Sequence, residues 1–202
     1  MGDVSTPAFW EERYATGADG WELGRPAPPL VDFIETTPPP RGRVAVPGCG
    51  RGHDARFLAR HGYDVTAFDF SPAAVEAARK LVADERAAVT VEQRDIFGAG
   101  ADYAHAFDGA WEYTCYCAID PRRRDEYVDT LATLVKPGGW LLACFFPLRT
   151  VAAGPPFPVA RREIKRRLGR HFRIAREFAP TRSARGRQGR EWVVLAYNVG
   201  RG

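Results

Sequence analysis

The sequence is short of the features that mark membrane, secreted and metal-binding proteins. No apolar run of 18 occurs in its 202 residues, so a membrane-crossing helix is not expected. The opening MGDVSTPAFWEERYATG has no basic stretch followed by an apolar one, which argues against a secretory leader. Gly2 and Thr6 within MGDVST fit a myristoylation pattern, but one so short that it recurs by chance. The four cysteines, Cys49, Cys115, Cys117 and Cys144, lack disulfide-framework spacing, and a chain this long does not need one. His53, His61, His105 and His171 lie in unrelated segments, so the ligands of a closed metal site are not at hand. The expectation is a metal-free protein of the reducing cytoplasm.

Acidic residues thin out in one place. From Arg161 to Arg190 the chain reads RREIKRR and then RSARGRQGR, within a net charge of only +4. Such a patch could meet nucleic acid, but aromatics for base stacking are few there, Phe172 and Phe178 before Trp192. A solvated helix face followed by a mobile loop is expected instead. The expected partner is a small molecule, with no nucleic acid and no membrane, and the expected state is a monomer.

What is present suits one globular domain over residues 1–202, 45% apolar and 27% charged. Residues 1–42 read as an irregular segment with two short helical pieces, the second ended by the PPP at 38–40. An alternation follows. VAV (44–46), DVTAFDF, AVTVEQRD, AFDGAWEYT and WLLACFFP read as strands. DARFLARHG and PAAVEAARKLVADE read as helices, the latter with Ser71 as N-cap and Pro72 at its first position. PRRRDEYVDTLATLVKPGG is expected to stay helical up to its Pro-Gly-Gly break. FRIAREF and REWVVLAYNVG look like a closing antiparallel pair. Continuous apolar strands between helices predict an α/β, doubly wound, mostly parallel seven-stranded sheet with an antiparallel last strand. Its ligand crevice would lie at the carboxyl ends of the strands.

RVAVPGCGRGHD (43–54) spaces its glycines as G-x-G-x-G, not as the G-x-G-x-x-G of a dinucleotide fold. Gly48, Cys49 and Gly50 would meet the ligand. Asp54 suits the dipole of the helix start. It would repel a pyrophosphate but receive an ammonium group. Asp69, ending the second strand and followed by Phe70 and Ser71, can accept from both hydroxyls of a ribose. Asp95 can accept from an adenine amino group while Ile96 and Phe97 cover the ring.

VxVPGCGRGHD, AFDFS, RDIF and LVKPGG, in that order and spacing, resemble the class I S-adenosylmethionine-dependent methyltransferases over about residues 40–146. The resemblance implies a Rossmann-like methyltransferase fold and S-adenosyl-L-methionine as cofactor. FWEERYATGADGWELGRPAPPL looks like the thiopurine methyltransferase superfamily, and most like its thiol and halide branch. Trp10, Tyr14, Trp21, Gly24 and Pro28 match its spacing in turn, with Tyr14 where a tryptophan is expected. These aromatics imply an N-terminal lid that covers the sulfonium by cation–π attraction and excludes water.

WEYTCYCAIDP also resembles the halide and thiol branch, whereas the thiopurine branch tends to carry Asp-Arg at the positions of Glu112 and Tyr113. By that resemblance Glu112 would contact the cofactor, and Tyr113 would stand at the methyl-transfer site as the catalytic hydroxyl that positions the substrate. PLRTVAAGPPFPV resembles the family's substrate loop, though the usual acid and histidine before its Gly-Pro-Pro are absent. Arg149 in that loop is a candidate to attract an anionic substrate.

The implied reaction is methyl transfer to a small soft nucleophile (thiol, hydrogen sulfide, thiocyanate or halide) by direct displacement. The protein would contribute approach geometry and removal of water. A thiol with a pKa of about 8.5 is already partly thiolate at neutral pH, so the lack of an evident general base fits this chemistry. The alternatives are a thiopurine-like or metalloid (tellurite or selenium) methyltransferase, and a nucleic-acid-binding module with a relic cofactor pocket.

Overall fold

Proline, whose fixed φ suits the first turn of a helix, opens both α1 (Pro7–Thr16) and α2 (Pro28–Thr36). The structure, a computed structural model, describes residues 2–148 and 154–200. Beyond α2 the chain alternates. β1 (Arg43–Pro47) leads to α3 (His53–Arg60), and β2 (Asp64–Asp69) to α4 (Pro72–Glu85). β3 (Val89–Gln93) follows, then the four-residue α5 (Gly100–Tyr103), and β4 (Phe107–Tyr113) leads to α6 (Arg124–Leu134). β5 (Val135–Phe145), α7 (Arg161–Leu168), β6 (Phe172–Phe178) and β7 (Trp192–Asn198) complete it.

The strands form one sheet in the order β3-β2-β1-β4-β5-β7-β6. β1 to β5 pair in parallel, and β7 runs antiparallel to both β5 and β6. This is the doubly wound sheet with an antiparallel last strand that the sequence predicts. The order reverses at β1 and β4, and the crevice between their carboxyl ends is where such sheets take ligands. α2 and α3 cover one face with Leu30, Phe33 and Leu58, against Trp111 and Leu142 of the sheet. α6 and α7 cover the other with Tyr127, Leu131 and Ile164, against Phe107 and Trp192. Each such side chain, fully buried, contributes about 1.5–3 kcal/mol.

One boundary differs from the sequence reading. α6 ends at Leu134, before the Pro-Gly-Gly, and β5 already begins at Val135. Val135 pairs with Phe107, the chain bows out, and the ladder resumes where Trp140 pairs with Gly109. Pairing with β4 on both sides of the bow overrides the breaker residues. Among the described residues no helix is long and apolar enough to cross a membrane.

Candidate functional site

A cavity of about 580 Å³ opens at the carboxyl ends of the parallel strands. Each strand delivers side chains to it just past its last residue: Gly48 and Gly50 after β1, Asp69 and Phe70 at the end of β2, Asp95 to Phe97 after β3. Thr114, Cys115 and Cys117 follow β4, and Phe146 follows β5. Trp10, Tyr14 and Trp21 roof it. Trp21 meets Trp10 and Tyr14 edge to face, with ring centres 5.3 Å and 5.6 Å away.

Gly48 and Gly50 hold left-handed backbone, with φ of 57° and 54°. A Cβ on Gly48 would stand 2.9 Å from Cys115 Sγ, so only glycine lets this loop lie against the turn after β4. Asp69 braces the same loop: Gly50 N–H donates to Oδ2 (2.9 Å), and Ser71 N–H to Oδ1 (3.0 Å). Burial pushes its carboxyl up from the usual range despite these bonds. Each oxygen keeps a lone pair for a ligand. Asp95 Oδ1 accepts from Phe97 N–H (3.1 Å), which caps the single 3-10 turn Ile96–Gly98. Phe97 lies under Arg123, whose guanidinium carbon is 3.6 Å from the ring centre. A bare glycine cradle, an acid at the end of β2 and an acid beside apolar side chains after β3 fit the ammonium-free parts of S-adenosylmethionine, its ribose and its base.

Several expected contacts fall elsewhere. Asp54 does not line the cavity: Ala27 N–H donates to Oδ1 and Trp111 Nε1–H to Oδ2, both at 2.7 Å, so it ties α3 to α2 and β4. Ser71 is fully buried as the N-cap of α4, accepting from Ala74 N–H and donating to Glu11. Glu112 is also buried, with Tyr116 N–H (2.9 Å) and Tyr127 Oη–H (2.5 Å) donating to its two oxygens. It shapes the turn behind the cavity wall and does not face a ligand. Cys49, Asp54 and Tyr113 line a second, smaller hollow of about 70 Å³. Arg149 lies outside the described residues.

Tyr113 does not line the large cavity. Its hydroxyl donates to Glu191 Oε1 and accepts from Arg187 Nη1, both at 2.6 Å. Arg187 is the residue of that trio on the cavity wall, and it also donates to the Trp21 carbonyl (3.1 Å). It is only 6% exposed and makes no ion pair among the described residues. Its guanidinium lies 4.9 Å from the ring centre of Phe146, and that of Arg190 lies 5.1 Å from the same ring. Sequence reasoning missed Arg187 because it sits in the aperiodic RSARGRQGR stretch, where nothing local distinguishes it from its solvated neighbours. Cys115 and Cys117 line the cavity as well. Burial pushes the Cys115 thiol well up, helped by the nearby Glu112 charge, and raises Cys117 to about 12.

The chain matches the model of the thiopurine S-methyltransferase family over residues 5–194. It is 34% identical to probable thiol methyltransferase 2 of Arabidopsis thaliana over 165 residues, 79% of this chain and 70% of that one. It is 32% identical to thiocyanate methyltransferase 1 of Brassica oleracea over 153 residues, covering 75% and 67%. With the thiopurine S-methyltransferase of Pseudomonas fluorescens it shares 31% over 174 residues, covering 78% and 79%. Among solved structures, its fold is similar to that of the Burkholderia thailandensis 1,6-didemethyltoxoflavin N1-methyltransferase, which holds S-adenosylhomocysteine. The TM-score is 0.73 at 21% identity, covering 96% of this chain and 87% of that one.

Proposed function

Because the chain belongs to the thiopurine S-methyltransferase family and is an S-adenosylmethionine-dependent methyltransferase, we propose that its acceptor is a small soft anion. Thiolate, hydrosulfide and thiocyanate are the leading forms, with halide as a further member of the class. The observation that carries this reading is Arg187. Among the described residues its buried guanidinium hydrogen-bonds only to a hydroxyl and a carbonyl, and the Glu191 carboxylate reaches it only through the Tyr113 hydroxyl, so its cavity face favours an anion.

When bound, S-adenosylmethionine supplies an electrophilic methyl on a sulfonium. Gly48 and Gly50 admit it by backbone, Asp69 accepts from its ribose, and Asp95, Ile96 and Phe97 receive its base. Trp10, Tyr14 and Trp21 exclude water from above. Arg187 holds the nucleophile and favours its charged form, drawing a bound thiol's pKa below its free value of about 8.5. Proton removal then happens on binding, so no side chain need act as a base. The reading suits the cytoplasm, where the protein's four free thiols stay reduced.

The wall formed by Phe146, Pro155 and Pro156 favours a second reading, in which the acceptor is an aromatic thiol. The test is a panel of hydrosulfide, thiocyanate, halides, aliphatic thiols, aromatic thiols and tellurite with methyl-labelled cofactor. Wild type and Arg187→Met are compared. Small anions should lead, and Arg187→Met should cut kcat/KM for them at least tenfold, about 1.4 kcal/mol. S-adenosylhomocysteine should still bind, which shows that the variant is folded. Equal turnover by the variant would remove Arg187 from the acceptor site, and a lead for aromatic thiols would favour the second reading.

A further inference from the structure

The glycine loop carries Arg51 and leads into His53, and neither lines the large cavity. Arg51 and His53 turn toward the N-terminal segment. Arg51 Nη2 lies 2.8 Å from Asp19 Oδ2, its Nη1 3.3 Å from Glu22 Oε2, and His53 Nε2 2.9 Å from Glu22 Oε1. Glu22 Oε1 also accepts from Gly24 N–H (2.6 Å). Between Asp19 and Glu22 sits Trp21, whose ring roofs the cavity. One short loop therefore lies against the cavity by its glycines and grips its roof by its side chains.

We infer that Arg51 and His53 form a latch that positions Trp21 over the cavity and governs release of the cofactor product. They are positioning residues: they touch neither acceptor nor reacting atoms, and they act through the lid. Burial works to raise the Glu22 carboxyl, yet the bonds from His53 and Gly24 N–H, with the charges of His53 and Arg51, hold it at about 2. Glu22 thus stays charged in the closed arrangement. The pairs are partly exposed, Arg51 at 31% and Asp19 at 16% of the side chain, so each alone is weak and salt can loosen the set. Strength enough to close and weakness enough to open is what a lid that cycles requires.

The inference rests on the cavity being the cofactor site, and its test separates the two. Trp111, Trp140 and Trp192 are at most 2% exposed, so quenching of fluorescence by acrylamide reports chiefly on Trp10 and Trp21. In the free protein, Arg51→Met should raise that quenching. With S-adenosylhomocysteine, its dissociation rate should rise at least fivefold, and the KM for cofactor should rise more than kcat falls. Arg51→Lys should recover part of each effect. Raising salt from about 0.05 M to 0.5 M should speed dissociation in wild type more than in Arg51→Met. Asp19→Asn approaches the same pair from the lid and should act in the same direction if Arg51→Met fails to fold. Unchanged quenching and unchanged dissociation in a folded variant would overturn the latch. A wild type that does not bind S-adenosylhomocysteine would overturn the cofactor site instead.

Discussion

Glu112 and Tyr113 are neighbours on β4, both buried; Glu112 is held by the nearby Tyr116 and Tyr127, and Tyr113 by partners far off in the chain. Burial raises the Glu112 carboxyl from 4.5 to about 7, against the opposing bonds from Tyr127 and Tyr116 N–H. Between those two values the folded chain retains a proton that the unfolded chain releases. Stability must therefore fall as pH rises from about 4.5 to 7, and level off above it. A shift of that size is worth on the order of 3 kcal/mol. Urea unfolding at pH 5 and pH 8 should show a smaller loss in Glu112→Gln than in wild type; parallel losses would refute the assignment. The same pair marks the limit of sequence reading. The strand ending at Tyr113 and the importance of its neighbourhood are legible from WEYTCYC. The partners of its hydroxyl, Arg187 and Glu191, lie 74 and 78 residues away, and no local pattern links them. The partners of Asp54, Ala27 and Trp111, are likewise remote, 27 and 57 residues distant. The turn that Gly48 and Gly50 make is written in the local sequence, since it rests on their left-handed backbone.

The elements themselves were largely legible, because proline, glycine and apolar runs act locally. Pro72 and Ser71 start α4 where expected, β2 and β4 sit within their predicted runs, and β1 extends VAV by a residue at each end. The end of α6 was not, because it is set by the ladder to β4 and by a residue of β7 remote in the chain. Asn198, closing β7, donates through Nδ2 to the carbonyls of Ala132 (2.9 Å) and Val135 (2.7 Å). The Val135 carbonyl also meets His105 Nδ1 (3.2 Å), so the Ala132 carbonyl at the end of the helix depends most on Asn198. Asn198→Ala removes a donor from each beside a buried site, costing about 2 kcal/mol. A drop in Tm of roughly 4–8 °C should follow for a chain of this length. A drop under about 1 °C would mean that water replaces the side chain.

For the whole molecule, the cavity gathers the ends of five strands, the roof formed by the first helix and Trp21, and the loop between β6 and β7. A ligand that fills it braces elements remote in sequence, so binding should be visible as global stability. At about one hundred times its dissociation constant, S-adenosylhomocysteine should add about 2.7 kcal/mol. Thermal unfolding should then shift upward by roughly 5–10 °C. NAD at the same concentration should give no shift, since the loop lacks dinucleotide spacing; an equal shift would overturn the choice of cofactor. The chamber also encloses sulfur of its own, at Cys115 and Cys117. A catalyst that delivers methyl groups to sulfur risks alkylating itself on every cycle. Neutral thiols are poor nucleophiles, and burial keeps both of these protonated. On the proposed reading, foreign sulfur held directly beside Arg187 would lose its proton, whereas burial outweighs the same cation at Cys117. Immunity and reactivity would then be divided within one chamber by where the proton rests, and shape alone would not separate them.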